Sequence, residues 1–259
     1  MTNPGYDYYG MMASTWDLWR DDTADWDDRH FYLALVRQYG EPVLDIGCGT
    51  GRLVLDYASL GIDVDGIDNS PEMLEICRAK AQKMGVTPGI YQIDILRDEL
   101  PRQYRTILGP SSVVQLMTAP GTALEMLKCC CDHLEPGGIF VASFSFDWLP
   151  GEPLDTGWEL LFEKVRPEDG AIVRRWVRET REPERQMWNA DSRFEVEIDG
   201  KIVATEEQRQ APEGRWYTQE EAVALYREAG FAEVRVYDGF SFAPATAESR
   251  LFCVAGVKG

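Results

Sequence analysis

The sequence predicts an α/β fold in which helices wrap a parallel sheet and an antiparallel sheet is inserted into that arrangement. Three observations support this prediction. Strand-like and helix-like segments alternate from residue 41 to residue 146, a pattern typical of a parallel sheet covered by helices. Strand-like segments joined by short turns fill residues 150–215, as expected for antiparallel strands. A capped helix and two further strands follow from residue 216.

The alternating part begins with a helix predicted from the apolar spacing between Trp26 and Tyr39, and Gly40 ends it. A later helix has Ser70 as N-cap, Pro71 in its first turn and Gly85 past its end, which are the preferred residues at those positions. The predicted strands are residues 41–47, 62–68, 89–94, 104–110 and 139–146, and the predicted helices between them lie within residues 51–61, 70–85 and 121–138.

The inserted part contains four strand-like runs, separated by turn signals such as PEDG at residues 167–170. Its basic residues from Arg174 to Arg185 alternate with glutamates and are predicted to form a solvated strand pair. A helix then begins at Thr218, with Glu221 at the capping-box position. The predicted runs are residues 158–166, 171–180, 185–198 and 201–210 in the insertion, and 231–239 and 249–259 at the end of the chain.

These patterns predict three parts of the chain. Residues 1–40 form a helical and aromatic lid, residues 41–149 and 216–259 form the parallel-sheet domain, and residues 150–215 form an antiparallel subdomain on the substrate side. The strands of the insertion carry regularly spaced aromatic residues, so one face can cover a site while the other meets solvent or a second subunit. A homodimer through the inserted sheet therefore stays open as an alternative to a substrate wall.

Charge and composition exclude several classes of function. With 26 Lys and Arg against 44 Asp and Glu, the formal net charge is −18, and such a field disfavours a nucleic acid partner. No run reaches transmembrane length and no apolar segment opens the chain, so we expect no membrane association and a cytoplasmic location. Cys129, Cys130 and Cys131 follow one another in a helical pattern and therefore point apart, so no metal site is predicted.

The segment VLDIGCGTGRL, residues 43–53, joins a buried strand to a helix through a glycine-rich turn. A dinucleotide site uses G-x-G-x-x-G, whose last glycine lets the helix pack close to the strand. Here Gly47, Gly49 and Gly51 form G-x-G-x-G, and Arg52 stands at the position of that last glycine. This spacing favours a ligand that lies across the loop and has no pyrophosphate to place at the helix.

Three aspartates accompany the glycine loop. Asp45 lies within the first strand, beneath the loop, while Asp68 ends the second strand and Asp94 ends the third. Ligands of open parallel sheets bind beyond the carboxyl ends of the strands. At these positions Asp68 can accept both hydroxyls of a ribose and Asp94 can accept from an exocyclic amine. The residues therefore predict a site for a ribose and an adenine.

Four segments in order resemble the class I S-adenosylmethionine-dependent methyltransferases: VLDIGCGTGRL, GIDNSPEMLEICRAK, YQIDIL and HLEPGGIFVASF. The resemblance implies a Rossmann-like sheet of order 3-2-1-4-5-7-6 with the last strand antiparallel. It implies S-adenosyl-L-methionine as cofactor, with the glycines near its methionine part, Asp68 at the ribose, and Asp94 with Ile95 at the adenine. The expected cofactor site comprises Tyr9, Trp16, Arg20, Asp45, Gly47, Cys48, Gly49, Gly51, Asp68, Asn69, Met73, Asp94, Ile95, Pro110 and Ser111.

A looser resemblance links the lead-in DRHFYLALVRQYGEPVLDIGCGTGR and the inserted strands to small-molecule methyltransferases, among them sugar-amine N-methyltransferases. In that group, aromatic residues and an arginine near the N-terminus can close over the cofactor. Tyr8, Tyr9, Trp16 and Arg20 are the corresponding candidates here. The resemblance implies a small soluble acceptor with a nitrogen or oxygen nucleophile.

Catalytic residues are not identified by the sequence, because methyl transfer is an in-line displacement in which a general base is optional. Residues 109–120 lack the Asn/Asp-Pro-Pro-aromatic motif of methyltransferases that act on nucleic acid or protein amides. Ser112 and Gln115 in this segment can orient a substrate or belong to a self-capped loop. His30 is a candidate base or an ordinary helix residue. A non-catalytic S-adenosylmethionine-binding protein and a nicotinamide-dependent oxidoreductase stay as alternative functions.

Overall fold

A computed structural model describes residues 6, 8–20, 26–146 and 148–259. The helices are α1 Gly10–Ser14, α2 Trp16–Trp19, α3 Asp27–Tyr39, α4 Arg52–Ser59, α5 Pro71–Met84, α6 Thr122–Asp132 and α7 Gln219–Glu228. The strands are β1 Val43–Ile46, β2 Val64–Asp68, β3 Gly89–Gln92, β4 Tyr104–Gly109, β5 Leu134–Ser145, β6 Glu159–Val165, β7 Ile172–Glu182, β8 Met187–Ile198, β9 Lys201–Arg215, β10 Phe231–Asp238 and β11 Leu251–Lys258. No helix in these described ranges is long and apolar enough to cross a membrane.

The main sheet has seven strands in the order β3-β2-β1-β4-β5-β11-β10. Strands β1 to β5 pair in parallel, and β11 runs antiparallel to both β5 and β10. The predicted order 3-2-1-4-5-7-6 with an antiparallel last strand is therefore confirmed. The order reverses at β1 and β4, so the carboxyl ends of β1, β2 and β4 frame one crevice.

Local sequence preferences explain where the helices on this sheet begin and end. The Ser70 side chain accepts a hydrogen bond from the Met73 amide, and Gly85 closes α5 in the left-handed conformation. Thr218 and Glu221 form the predicted capping box of α7. Every residue of β1 is buried between the helical layers, as expected for a central parallel strand.

Helices cover both faces of the main sheet and divide its core in two. One apolar cluster joins α6 and α7 to β4, β5 and β11, and the other joins α3, α4 and α5 to the opposite face. Within the second cluster, Phe31, Tyr32, Leu35 and Val36 of α3 are buried. Helix α3 therefore packs as part of the main sheet's core, whereas α1 and α2 lie elsewhere.

The insertion forms a four-stranded antiparallel sheet of order β6-β7-β8-β9, as predicted. Strand β9 continues beyond the predicted end at residue 210 to Arg215, and Gly214 pairs there with Trp188. A side chain at position 214 would overlap the indole ring. The glycine thus lets the strand continue past the tryptophan.

The two faces of the inserted sheet differ in chemistry. The outer face carries ion pairs between neighbouring strands, including Arg174 with Glu163 and Glu197. The inner face buries Phe194 together with Arg175, which is 7% exposed and donates to the Ser192 hydroxyl. The prediction of a solvated basic strand pair was therefore wrong for Arg175, because alternation along β7 turns this side chain inward.

Helices α1 and α2 lie between the inserted sheet and the main domain. Met11, Leu18 and Trp19 pack against a small apolar cluster on the inner face of the sheet, formed by Phe162, Ala171, Val173 and Val196. The Met11 amide donates to Glu206 of β9, and the Gly10 amide donates to Glu72 of α5. Helix α1 thus contacts both the inserted sheet and α5.

Candidate functional site

A cavity of about 610 Å³ lies at the carboxyl edge of the main sheet, beneath α2. Its size is in the range typical of small-molecule sites. The residues predicted for the cofactor line this cavity with one exception, because Tyr8 faces it in place of Tyr9. The lining residues that the sequence analysis did not single out include Asp17, Thr50, Lys80, Val113, Leu116 and Met117.

The three glycines of the loop between β1 and α4, residues 47–51, all have positive φ angles, but they serve different purposes. A Cβ atom at Gly51 would lie 2.7 Å from the Cys77 sulfur and from Leu55. This glycine therefore lets α4 pack against α5. A Cβ atom at Gly49 would meet only the Gly47 carbonyl, 4.0 Å away. Gly49 therefore leaves open space in the cavity.

Asp68 fastens the glycine loop to the end of β2. One carboxylate oxygen accepts from the Gly49 amide at 2.9 Å, and the other accepts from the Ser70 amide at 2.8 Å. Burial nevertheless raises the pKa of the Asp68 carboxyl, against these two hydrogen bonds. Each oxygen keeps a further lone pair, so the carboxylate can hold the loop and still accept from a ligand.

Asp45 lines the floor of the cavity and has one carboxylate oxygen without a hydrogen-bond partner. The residue is 1% exposed, and its Oδ1 atom has no hydrogen-bond partner. Burial raises the pKa of its carboxyl to about 7, with Arg52 opposing the shift and Asp68 and Asp28 adding to it. An unsatisfied buried acceptor is costly, so this position is suited to a donor supplied by a ligand.

Arg20 places a cation on the other side of the cavity. Its guanidinium lies 4.7 to 5.0 Å from the ring centres of Trp16, Trp19 and Trp26. The Nε atom of Arg20 is buried without a hydrogen-bond partner. A different nitrogen of the guanidinium, Nη1, donates to the Ser111 hydroxyl at the long distance of 3.5 Å. Burial lowers the pKa of Arg20 to about 10, which leaves the group charged at neutral pH. This guanidinium is suited to an anionic ligand group.

Arg52, at the position of the missing dinucleotide glycine, has a partner within the protein. Its guanidinium makes two hydrogen bonds, of 2.9 and 2.5 Å, to the carboxylate of Asp28 at the start of α3. The Asp28 side chain is only 5% exposed. The charge of Arg52 is thus neutralised within the fold.

Asp94 and Ile95 lie just past β3 and face the same cavity as Asn69 and Met73. The Asp94 carboxylate accepts from the Leu96 amide at 3.0 Å and lies 3.3 Å from Arg97. The Asp94 carboxylate therefore stabilises the loop to which it belongs.

The three candidate catalytic residues do not line the cavity. His30 is exposed on α3. The Ser112 amide donates to the Ser143 hydroxyl. Gln115 is fully buried, where its amide group donates to the carbonyls of Ser145 and Arg215 and accepts from the Ser145 amide. Ser112 and Gln115 thus join loop 109–117 to β5 and β9.

Comparisons with known proteins agree with this geometry. Residues 43–138 match the family model of a methyltransferase domain. A ubiquinone biosynthesis O-methyltransferase of Shewanella sp. (strain ANA-3) is 31% identical over 140 residues, which are 51% of this chain and 57% of that protein. The chain thus spans about half the length of the curated relatives it matches.

Solved structures resemble nearly the whole chain. A S-adenosylmethionine-dependent methyltransferase from Clostridium acetobutylicum has a TM-score of 0.75 at 19% identity, covering 95% of this chain and 96% of that one. The sugar N-methyltransferase KedS8 from Streptoalloteichus has a TM-score of 0.71 at 18% identity, covering 100% and 98%. The predicted Rossmann-like methyltransferase fold with an inserted sheet is therefore confirmed.

The two roles of the loop glycines can be separated by stability measurements. Gly49→Ala and Gly51→Ala both place alanine at positive φ, which costs about 1–2 kcal/mol. We expect Gly51→Ala to lower the free energy of unfolding by about 1–3 kcal/mol more than Gly49→Ala does, because the methyl group at position 51 overlaps Cys77 and Leu55. Urea unfolding followed by circular dichroism measures both changes, and equal losses would contradict this assignment.

Asp45 should make stability depend on pH. Its pKa is raised from an unfolded value of about 3.9 to about 7, so the folded ligand-free protein binds the extra proton between these values. The stability contribution is present at low pH and is lost as pH rises through about 7. The free energy of unfolding of Asp45→Asn minus that of the wild type should therefore be larger at pH 8.5 than at pH 5. If the urea midpoints of variant and wild type differ by the same amount at both pH values, the pKa of Asp45 is not raised.

Proposed function

Because the chain carries a class I methyltransferase domain, we propose that it transfers a methyl group from S-adenosyl-L-methionine to a small-molecule acceptor with a nitrogen or oxygen nucleophile. One observation carries the proposal. Asp45 and Arg20 both line the cavity, and each has one buried side-chain atom without a hydrogen-bond partner, Oδ1 of the carboxylate and Nε of the guanidinium; the amino-acid part of this cofactor is a zwitterion that carries the complementary charges. The glycine loop between them provides the open space that such a ligand needs.

The remaining parts of the cofactor also find suitable groups in the cavity. Asp68 would accept from the ribose hydroxyls with the lone pairs that the Gly49 and Ser70 amides leave. Asp94 would accept from the adenine amine, and the apolar side chains of Ile95 and Met117 would contact the ring. A nicotinamide cofactor fits less well, since Arg52 is already neutralised by Asp28 and is not available to a pyrophosphate.

When bound, the cofactor supplies a methyl group that its positive sulfonium has already activated. The protein then has to align and desolvate the reactants, which accounts for much of the rate enhancement in such displacements. Trp16 and Tyr8 make an edge-to-face contact of 5.2 Å at the cavity wall and exclude water from it. Gln115 and Ser112 would contribute indirectly. Their hydrogen bonds to β5 hold in place the loop that carries Pro110 and Ser111.

The names of similar proteins support the acceptor class. One relative is an O-methyltransferase of ubiquinone biosynthesis, and one structural neighbour is a sugar N-methyltransferase. The inserted sheet would influence acceptor choice by supporting α2, because Leu18 and Trp19 pack on its inner face. Residues 150–215 are thus assigned to the acceptor side and the glycine-loop half to the cofactor.

A homodimer through the inserted sheet is part of the proposal. Strands β6 and β9 are the two edges of this sheet. Their exposed apolar side chains include Leu160, Leu161, Ile202 and Val203, which are 43% to 57% exposed. Unpaired edges with apolar side chains are typical places for a second chain to bind.

Cofactor binding tests the function most simply. Isothermal titration should show binding of S-adenosylhomocysteine and none of NAD. Asp68→Ala should weaken binding by well over tenfold, because it loses charge-assisted hydrogen bonds worth about 1.5–3 kcal/mol each and releases the Gly49 amide. Asp169→Asn, in an exposed ion pair with Arg166 of the insertion, is the matched control. NAD binding without S-adenosylhomocysteine binding would refute the proposal.

Activity is then measured with methyl-labelled cofactor and a panel of amines, phenols and carboxylates. We expect label on a small acceptor carrying a nitrogen or oxygen nucleophile. Label transferred only to nucleic acid or protein would contradict the acceptor assignment.

The oligomeric state tests the dimer. Light scattering coupled to size exclusion should give twice the chain mass at micromolar concentration. Ile202→Lys combined with Val203→Glu should give monomers that still bind S-adenosylhomocysteine, because the edge lies away from the cavity. A wild-type monomer would rule out this interface.

A further inference from the structure

Helix α2 presents two chemically different sides. Leu18 and Trp19 pack against the inserted sheet, while Trp16, Asp17 and Arg20 line the cavity. The helix therefore forms a wall between the sheet and the place where the cofactor would lie.

Asp17 connects the cavity side of α2 to the cofactor half of the molecule. One of its carboxylate oxygens accepts from the Thr50 hydroxyl at 2.6 Å. The other accepts from the Lys80 ammonium of α5 at 3.0 Å. Thr50 is buried between Gly49 and Gly51, so a single carboxylate fastens α2 to both the glycine loop and the helix beside it.

The contacts on the two sides of α2 differ in strength. Leu18 and Trp19 are partly buried against the apolar cluster of the inserted sheet, and this contact removes apolar surface from water and holds α2 to the sheet. The Asp17 and Lys80 side chains are 47% and 36% exposed, and exposed ion pairs contribute little because water and salt screen them. The Arg20–Ser111 contact is long, at 3.5 Å. The boundary between α2 and the glycine loop therefore depends on a few polar contacts, chiefly the 2.6 Å hydrogen bond from the Thr50 hydroxyl to Asp17.

We propose that Asp17 is a positioning residue that latches α2 over the cavity, and that cofactor enters and leaves when its contacts to Thr50 and Lys80 break. The inference rests on the proposed cofactor site. The latch holds the closed wall in place and positions the glycine loop through Thr50. It adds no contact to the transferring methyl group.

A latch has a kinetic signature that a lost ligand contact does not share. Breaking a latch raises the open fraction of the protein, so both the association and the dissociation rates of the ligand increase. Removing a direct ligand contact raises only the dissociation rate. Stopped-flow tryptophan fluorescence can follow both rates, since Trp16, Trp19 and Trp26 surround Arg20 at the cavity.

The experiment uses the full chain and S-adenosylhomocysteine as probe. Asp17→Ala and Thr50→Val should each raise both rates by about 5- to 30-fold, with a smaller change in Kd than in either rate. Thr50→Ser keeps the hydroxyl and should behave as the wild type. In the double variant Asp17→Ala with Thr50→Val, ligand exchange should be no faster than in Asp17→Ala alone. The hydrogen bond that Thr50→Val removes is already lost in Asp17→Ala.

Two controls separate the latch from other effects. Asp169→Asn removes an exposed carboxylate of the insertion with a bidentate arginine partner and should leave both rates unchanged. High salt screens the Asp17–Lys80 pair, so it should speed ligand exchange in the wild type more than in Asp17→Ala. A faster dissociation rate with an unchanged association rate in Asp17→Ala would overturn the latch. A wild type that does not bind the probe would instead refute the proposed function.

Discussion

The hydrogen bond from the Gly49 amide to the Asp68 carboxylate is the interaction on which the rest of the site depends. It joins the turn after β1 to the end of β2, two strands that are already paired in parallel. The positive φ angles at Gly47, Gly49 and Gly51 let the backbone bend sharply enough to bring that amide to the carboxylate. Together with the hydrogen bond from the Cys48 amide to the Ile67 carbonyl, this connection fixes the loop between the floor of the cavity at Asp45 and its wall at α2.

The same region keeps charges that the fold itself does not neutralise. Most buried polar atoms in a protein have partners, and Arg52 with Asp28 follows this rule close to the cavity. Asp45 and Arg20, which line the cavity, depart from it at one atom each, Oδ1 and Nε. One unsatisfied atom on each of these charged groups disfavours the ligand-free state, and we propose that a zwitterionic ligand relieves both at once. The fold thus carries an electrostatic cost that binding offsets.

Local patterns in the sequence predicted the parts of this structure that local physics determines. The caps at Ser70 and Thr218, the strand alternation and the glycine spacing all express backbone constraints within a few residues. Asp68 could be placed at the site because a strand end has a known direction. By contrast, Asp17 and Lys80 lie 63 residues apart, and no local pattern reports their contact. Arg175 was misread because its polarity suggested exposure, whereas tertiary packing turned its side chain inward.

The central claim is that Asp45 and Arg20 recognise the amino-acid part of the cofactor. The most direct test compares the affinities of S-adenosylhomocysteine and 5′-methylthioadenosine by isothermal titration at pH 7.5. The second ligand keeps the adenosine and the sulfur and lacks the amino-acid part. The wild type should bind 5′-methylthioadenosine at least about a hundredfold more weakly than S-adenosylhomocysteine. In Asp45→Asn, the ratio of the two Kd values should be smaller. Equal affinities for the two ligands in the wild type would contradict it.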